Sequence, residues 1–296
     1  MTSEKREAFG RIGIWSGALH GSRANRAGRK AIEDAVAELD ELGYGTLWIG
    51  GSPSHDDAAA VLAATRTVTV ATGILSIWDH TAEDVAKRTA AIEAEAPGRF
   101  VLGLGVSHRP MVPRYAKPYS TMVAYLDALD GANPPVHRGR RVLAALGPKM
   151  LRLSADRALG AHPYLVTTEH TAEAREALGP DALLAPELSV VLGTDLDRAR
   201  TIARDMLAMY LRLPNYTDNL VRLGFTESDF EGGGSVRLLD ALFALGDVEH
   251  VKGRAQEYFD AGADHVALQV LTGQERGTAL PRAEWRELAA VFADEL

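Results

Sequence analysis

The chain has 296 residues, of which 46% are hydrophobic and 24% charged, and its formal net charge is −8. This composition is typical of a folded globular protein. The negative net charge argues against a nucleic-acid partner. Because the chain has no cysteine, disulfides, thiolate metal sites and cysteine nucleophiles are excluded. Residues 1–7 lack the apolar run of a secretion signal and no stretch reaches the ~18 apolar residues of a membrane span, so we expect a cytoplasmic protein without a membrane partner.

Short β-like runs alternate with longer amphipathic segments in the first half of the chain. The predicted strands lie at residues 11–15, 46–50, 68–74 and 100–106. The predicted helices between them lie at about residues 30–42, 56–66 and 81–95. Runs so rich in Val, Ile and Leu are typical of parallel strands that are buried on both faces.

The same alternation continues in the second half. Further strands are predicted at residues 142–146, 163–166, 187–192 and 265–270, which completes a set of eight. About 70 residues of mostly helical sequence separate the seventh strand from the eighth, with a long helix at 196–213 and a glycine run at 232–234. Eight strand–helix units favour a single-domain α/β protein, a (β/α)8 TIM barrel with a helical insertion at about residues 196–246.

Barrel enzymes place their active sites at the carboxyl ends of the strands, so the residues that follow each strand are the first candidates. Histidines and tryptophans gather there. They are Trp15 after the first strand, His55 after the second, Trp78 and His80 after the third, and His108 after the fourth. Three histidines and two tryptophans at one end of a barrel indicate a substrate pocket at that end.

His108 is the strongest candidate for catalysis. It follows Gly103-Leu104-Gly105-Val106-Ser107, where small residues allow a planar ligand to approach the backbone closely. An imidazole at this place can donate or accept a proton near neutral pH. The alternative is a histidine that only bonds to a neighbouring loop carbonyl, and His55 and His80 can equally be solvated loop residues.

A candidate anion site lies at the fifth predicted strand, where Ala145, Leu146 and Gly147 turn from strand into helix. Free N–H groups at a helix start attract anions, Gly147 permits close approach, and Lys149 adds a positive charge. The alternative is an ordinary strand-to-helix turn. A metal site is not predicted, because the histidines and carboxylates that follow the strands lack spacing such as His-x-x-x-His.

Taken in chain order, these motifs resemble the luciferase-like monooxygenase superfamily, and within it the deazaflavin-dependent oxidoreductases. The segments that carry the resemblance are residues 72–75, 98–106, 119–129, 145–150 and 261–266. They span nearly the whole chain, and the ordered set is more specific than any one segment.

The resemblance implies a barrel that binds a flat coenzyme at the carboxyl end of its strands. The implied coenzyme is F-420 (8-hydroxy-5-deazaflavin), with FMN as the alternative, and the implied assembly is a homodimer. It also implies a non-prolyl cis peptide bond between Gly73 and Ile74, behind the coenzyme ring. The residues expected to contact the coenzyme are Gly50, Gly73, Ile74, Gly105, Ser107, Ala145, Leu146 and Gly147.

The chain departs from the family pattern just after the second strand. Many relatives carry an acidic residue and a histidine there, whereas this chain has Gly51 and Ser52. The role of that pair is then absent, or it passes to His55 or His80.

The leading hypothesis is hydride transfer between F-420 and a small organic substrate. His108 is the expected proton donor or acceptor, a role that the resemblance supports, and His80 is a second catalytic candidate. Trp15, His55 and Trp78 are expected to line the substrate pocket. The alternatives are an FMN-dependent monooxygenase that uses oxygen and a coenzyme-binding barrel without catalytic activity.

Overall fold

A computed structural model of the chain describes residues 9–274 and 280–296. The polar start at residues 1–7, on which the prediction of no secretion signal rests, lies outside the described residues. The strands are β1 (Ile12–Ser16), β2 (Thr46–Gly50), β3 (Thr69–Gly73), β4 (Leu75–Ser76), β5 (Phe100–Gly105), β6 (Arg141–Leu143), β7 (Gly160–Ala161), β8 (Leu183–Leu184), β9 (Glu187–Leu192), β10 (Phe243–Gly246) and β11 (Val266–Val270).

Helices follow most of the strands. They are α1 (Arg26–Glu41), α2 (His55–Ala63), α3 (Ala82–Glu95), α4 (Pro118–Asp130), α5 (Pro148–Arg157), α6 (Thr168–Leu178), α7 (Leu196–Tyr210), α8 (Pro214–Arg222), α9 (Glu227–Phe230), α10 (Val236–Leu242), α11 (Val248–Asp260) and α12 (Arg282–Val291). In the part of the chain that the structure describes, none of them has both the length and the apolar character to cross a membrane.

The strands close into a (β/α)8 barrel, as predicted. All strand pairs are parallel, and their order is β10-β9-β11-β1-β2-β3-β5-β6-β7-β8, with β4 also beside β5. The ring closes because β8 continues through residues 185–186 into β9, and this segment has neighbours on both sides. Glu187 N donates to Pro163 O (2.9 Å) on one side, and Ala267 N donates to Pro186 O (2.9 Å) on the other.

The sixth barrel strand lies earlier in the chain than predicted. The sequence pattern indicated residues 163–166, whereas the hydrogen-bonded strand is β7, Gly160–Ala161. A Cβ atom at Gly160 would lie 1.9 Å from Leu183 O, so the close approach of two strands requires glycine there. Glycine interrupts the apolar run by which a buried strand is recognised, which is why the prediction missed it.

Residues 196–246 are mostly helical, as predicted, but they end in a strand that the sequence pattern did not indicate. This strand, β10, pairs with β9 outside the ring, with Phe243 beside Ser189. The helices of this segment, α7 to α10, share buried apolar side chains with β10, among them Leu207, Leu220 and Leu239. Residues 196–246, called the insertion below, thus have an apolar core next to the barrel.

Side chains fill the barrel lumen below its carboxyl end. Trp48 is fully buried, and its ring stacks on that of His162 with centroids 4.0 Å apart. Its Nε1 donates to His265 Nε2 at 3.0 Å, and the Phe9 ring lies 6.2 Å away toward the amino end. Trp48 is therefore a core residue. The carboxyl end of the barrel, above these side chains, is called the rim below.

Candidate active site

The third barrel strand is interrupted at the rim. A cis peptide bond joins Gly73 to Ile74, which confirms the bond that the resemblance implied. Beyond it, the Ile74 side chain covers Gly105 of β5, where an added Cβ would lie 2.5 Å from Ile74 Cδ1. Trp15 of β1 reaches across β2, and its Nε1 donates to Gly73 O at 3.2 Å. Trp15 and Ile74 therefore shape this part of the rim.

The glycines at the ends of β2 and β3 both lie against the ring of Trp15. Gly50 and Gly73 are expected to contact the coenzyme on the ground of the family resemblance. In the structure an added Cβ would lie 2.3 Å from Trp15 ring atoms at Gly50 and 2.7 Å from them at Gly73. Glycine at these positions thus makes room for the half-buried Trp15 indole.

Five rings form a continuous chain across the rim, and we call them the rim cluster: Trp15, Tyr164, Tyr210, Tyr216 and His108. The centroids of successive rings are 5.2, 5.5, 5.1 and 5.4 Å apart. Tyr164 follows β7, whereas Tyr210 and Tyr216 belong to α7 and α8. The insertion therefore lies against the rim and links two of the predicted site residues, Trp15 and His108.

Hydroxyl groups of the rim cluster form a polar chain of their own. Tyr210 Oη donates to Tyr164 Oη at 3.2 Å, and Tyr164 Oη donates to Gln269 Oε1 of β11 at 2.8 Å. Burial holds the pKa of Tyr164 well above its usual value of 10. The Tyr164 hydroxyl therefore keeps its proton at neutral pH and acts as a hydrogen-bond donor.

Glu187 is a carboxyl group buried within the barrel. It begins β9, is 1% exposed, and accepts hydrogen bonds from Ser189 Oγ (2.5 Å) and Leu165 N (3.1 Å). Burial raises its pKa to about 7, although both hydrogen bonds act in the opposite direction. Leu165 has a φ of 53°, so the bond to its N–H also helps to hold the turn that presents Tyr164.

His108 stands at the insertion end of the rim cluster. Ser107, with a φ of 54°, turns the chain before it, and the imidazole is half-buried. Its Nδ1 lies 3.2 Å from Asn215 Oδ1 on α8. Burial lowers the pKa of His108, and the hydrogen bond with Asn215 raises it in part. The ring is therefore mostly neutral at pH 7 and can accept a proton.

Trp78 and His80 lie in the loop between β4 and α3. Trp78 Nε1 donates to Val106 O at 2.6 Å, and its ring centroid is 5.6 Å from that of Tyr115. His80 is half-buried, and its backbone oxygen accepts from Tyr125 Oη at 3.1 Å. Its side chain is close enough to His55 to contribute to the lowered pKa of that residue.

The structure does not bring His55 to the rim cluster, where it is predicted to line the substrate pocket. Ser54 caps α2, which makes His55 the first residue of a helix and not part of a loop. The side chain is 3% exposed, and its Nε2 lies 3.1 Å from Thr89 Oγ1 on α3. Burial, followed by the charges of Arg88 and His80, lowers its pKa to about 4. His55 is thus a packing residue of the helical layer.

The predicted anion site keeps an open helix start. Gly147 is the N-cap residue of α5. Among the residues that the structure describes, no side chain caps this helix, and none but the chain neighbours of Gly147 has an atom within 4 Å of an added Cβ there. Leu146 O accepts from His170 Nε2 at 2.8 Å, and Ala145 is buried. In residues 9–274 and 280–296, no three His, Asp or Glu side chains are grouped so that they could hold a metal ion.

Several residues of the rim were not predicted from the sequence. They are Tyr164, Glu187, Tyr210, Asn215, Tyr216 and Gln269. Two of them carried a signal: Tyr164 follows a barrel strand, and Glu187 is the one charged residue of the run Glu-Leu-Ser-Val-Val-Leu. The residues of α7 and α8 carried none, because helix periodicity does not show which helix lies against a barrel rim.

The sequence and the fold both have relatives. A family model described as luciferase-like monooxygenase matches residues 11–265. Comparison with curated proteins gives no significant match. Among solved structures, the chain is similar to an F-420-dependent secondary alcohol dehydrogenase in complex with an F-420–acetone adduct. The TM-score is 0.71 at 13% identity, over 97% of this chain and 98% of that one.

Two further solved structures have the same fold. The coenzyme F-420-dependent tetrahydromethanopterin reductase from Methanopyrus kandleri has a TM-score of 0.66 at 14% identity, over 96% of this chain and 100% of that one. A type II Baeyer-Villiger monooxygenase, the oxygenating constituent of 3,6-diketocamphane monooxygenase from Pseudomonas putida in complex with FMN, has a TM-score of 0.68 at 11% identity. That match covers 97% of this chain and 98% of the other.

Proposed function

The chain belongs to the luciferase-like monooxygenase family, and from this premise we propose that it is an oxidoreductase that transfers a hydride between F-420 and a small organic substrate. The observation that carries the proposal is the placement of His108, a half-buried imidazole with a lowered pKa, in the rim cluster. The similarity in fold to two F-420-dependent enzymes supports the choice of coenzyme.

The residues at the rim fit a coenzyme with a flat ring and an anionic tail. The uncapped start of α5 at Gly147, with Lys149 exposed beside it, would hold the phosphate. Trp15, Ile74 and Ser107 would lie beside the ring. When bound, F-420 supplies a carbon atom that donates or accepts a hydride.

The protein's own contribution is to bind, to exclude water and to move a proton. The aromatic faces of Trp15 and Tyr164 offer an apolar wall for a small organic substrate. His108 accepts the proton that the substrate loses when it is oxidised, or returns one when it is reduced. The Tyr164 hydroxyl keeps its proton and donates a hydrogen bond to Gln269 Oε1, which fixes the Tyr164 ring in this wall.

A second candidate is an FMN-dependent monooxygenase, which the similarity to an FMN-containing monooxygenase favours. An assay under strictly anaerobic conditions separates the two, with a panel of small alcohols, aldehydes and ketones. We expect F-420 to be reduced or oxidised at the same rate without oxygen. Turnover that requires both FMN and oxygen would contradict the proposal. Tight coenzyme binding without turnover of any substrate would favour the third hypothesis, a barrel without catalytic activity.

We also propose that the protein is a cytoplasmic homodimer, in line with the family resemblance. Equilibrium sedimentation of the purified chain tests the assembly, and a mass of one chain at micromolar concentration would contradict it. Cell fractionation tests the location.

A further inference from the structure

The orientation of His108 is set from outside the loop that carries it. Its Nδ1 lies 3.2 Å from Asn215 Oδ1, and its ring centroid is 5.4 Å from that of Tyr216. Both partners belong to α8 of the insertion. Among the residues that the structure describes, nothing forms a hydrogen bond with the other ring nitrogen, Nε2. The imidazole is thus held at one nitrogen and available at the other.

The chemistry of the Asn215 contact selects one form of the imidazole. An amide oxygen accepts hydrogen bonds and cannot donate them, so His108 Nδ1 must carry the hydrogen. A neutral imidazole has one protonated nitrogen and one nitrogen with a free lone pair. The lone pair therefore belongs to Nε2, which is the atom that can accept a proton from a substrate.

Buried packing fixes Asn215 at the rim although its own side chain is exposed. The next residue, Tyr216, is 6% exposed, and its ring lies 5.1 Å from that of Tyr210 at an interplanar angle of 81°. Leu213 and Leu220, on either side of it in the chain, are buried in the same apolar core of the insertion. The start of α8 is therefore anchored, and Asn215 is presented to His108 by a rigid element.

We propose that Asn215 is a positioning residue, which keeps His108 protonated at Nδ1 and leaves Nε2 as its proton-accepting atom. The inference rests on the proposed function, because it gives the role of His108 a specific atom. It divides the work between two parts of the fold: the barrel loop carries the group that moves the proton, and the insertion sets its tautomer.

The test is nuclear magnetic resonance of the purified chain labelled with 15N-histidine, without coenzyme or substrate. The variants are Asn215→Ala and Asn215→Asp, with Asp218→Ala, an exposed residue of the same helix, as the matched control. We expect the wild type to show the Nδ1-protonated form, and Asn215→Ala to show a mixture of both forms with a lower His108 pKa. Asn215→Asp should keep the wild-type form and raise the His108 pKa by about 1 unit, since a carboxylate favours the charged ring.

Turnover supplies the second readout. We expect Asn215→Ala to lower kcat about tenfold with little change in KM. This loss is smaller than the roughly 100- to 10,000-fold that a positioned acid or base contributes, because His108 itself is still present. Asn215→Asp should restore most of the rate and move the midpoint of the rise in kcat/KM with pH upward by about 1 unit.

Different results test the role of Asn215 and the role of His108. A neutral His108 protonated at Nε2 in the wild type, or an unchanged tautomer and pKa in Asn215→Ala, overturns the role of Asn215 whatever the activity shows. Unchanged turnover in His108→Ala overturns the catalytic role of His108, while the resonance spectra still decide whether Asn215 sets its tautomer.

Discussion

At the scale of single residues, the proposal depends on which histidine handles the proton. His108 belongs to the rim cluster, and its Nε2 forms no hydrogen bond with the residues that the structure describes. His55 is buried in the helical layer, and His80 lies close to His55. A proton donor or acceptor must be within hydrogen-bond reach of the substrate. Position, more than pKa, therefore singles out His108.

Replacing His108 with Ala is expected to lower kcat about 100-fold, the lower end of what a positioned acid or base contributes. His80→Ala should lower kcat by a smaller factor. The matched control is His137→Ala. It removes an exposed histidine that precedes β6, at the amino end of the barrel, away from the rim. Steady-state kinetics with F-420 measures all three, and equal rates for His108→Ala and His137→Ala would contradict the role of His108.

Glu187 gives a prediction about stability. Its folded pKa of about 7 lies above the value of about 4.3 for an unfolded glutamate. Between about pH 4.3 and pH 7, the Glu187 carboxyl is therefore protonated more often in the folded chain than in the unfolded chain. As pH rises through this range, the carboxylate charge that forms in the buried site lowers the stability of the fold. Glu187→Gln removes the charge, so the stability of the variant relative to the wild type should grow between pH 4.5 and 7.

The expected gain is on the order of 3 kcal/mol at most, from about 1.4 kcal/mol per pKa unit. Urea unfolding at a series of pH values measures it. A difference between the two proteins that stays constant with pH would show that the Glu187 pKa is not raised.

The sequence analysis named two of the five residues of the rim cluster. Trp15 and His108 were found because they follow barrel strands, where position alone indicates function. Asn215 and Tyr216 were not, because their role arises from the packing of a helix against a distant loop. The close packing of the Trp15 indole on Gly50 was not predicted, because it joins residues of two different strands.

At the scale of elements, the contact between β1 and β2 at the rim can be tested directly. Gly50→Ala would place a Cβ atom 2.3 Å from ring atoms of Trp15. The indole must shift, and we expect a loss of about 1–3 kcal/mol of unfolding free energy, typical of overpacking. Tryptophan fluorescence should change as well.

The control for Gly50→Ala is Gly253→Ala. Gly253 lies inside α11, and apart from its own helix no atom of the described residues is within 4 Å of an added Cβ. Alanine there should stabilise the chain by roughly 1 kcal/mol, because glycine is a poor helix former. Chemical denaturation compares the two, and equal midpoints would mean that Trp15 does not pack on Gly50.

Apolar strands with regular spacing were the most predictable elements. β2 and β9 begin and end at the predicted residues, because their runs are continuous and bounded by turn residues. β7 was displaced, since it is built around a glycine that strand packing requires. β10 was missed because four residues between two helices, Phe-Ala-Leu-Gly, do not show whether an apolar run is helical or extended.

At the scale of the whole molecule, buried neutral histidines make the fold sensitive to acid. His55, His162 and His265 each have a folded pKa of about 4, lowered mainly by burial, against about 6.5 when unfolded. Between these values the unfolded chain binds more protons than the folded chain. Stability is therefore highest above pH 6.5 with respect to these groups, and it falls as pH falls toward 4.

His55→Gln tests this acid sensitivity, because glutamine can keep a hydrogen bond to Thr89 Oγ1 without titrating. The variant should lose less stability than the wild type between pH 6.5 and 4, by up to roughly 3 kcal/mol at about 1.4 kcal/mol per unit. Thermal unfolding in matched buffers measures the two curves. Parallel curves would mean that His55 is not buried in its neutral form.

The proposed use of F-420 as coenzyme is tested most directly by titration. The purified chain, freed of any bound ligand, is titrated separately with F-420 and with FMN, and binding is followed by the quenching of tryptophan fluorescence at the rim. We predict that F-420 binds and quenches with saturation at one equivalent per chain, whereas FMN binds much more weakly. Tight binding of FMN with no response to F-420 would contradict the account.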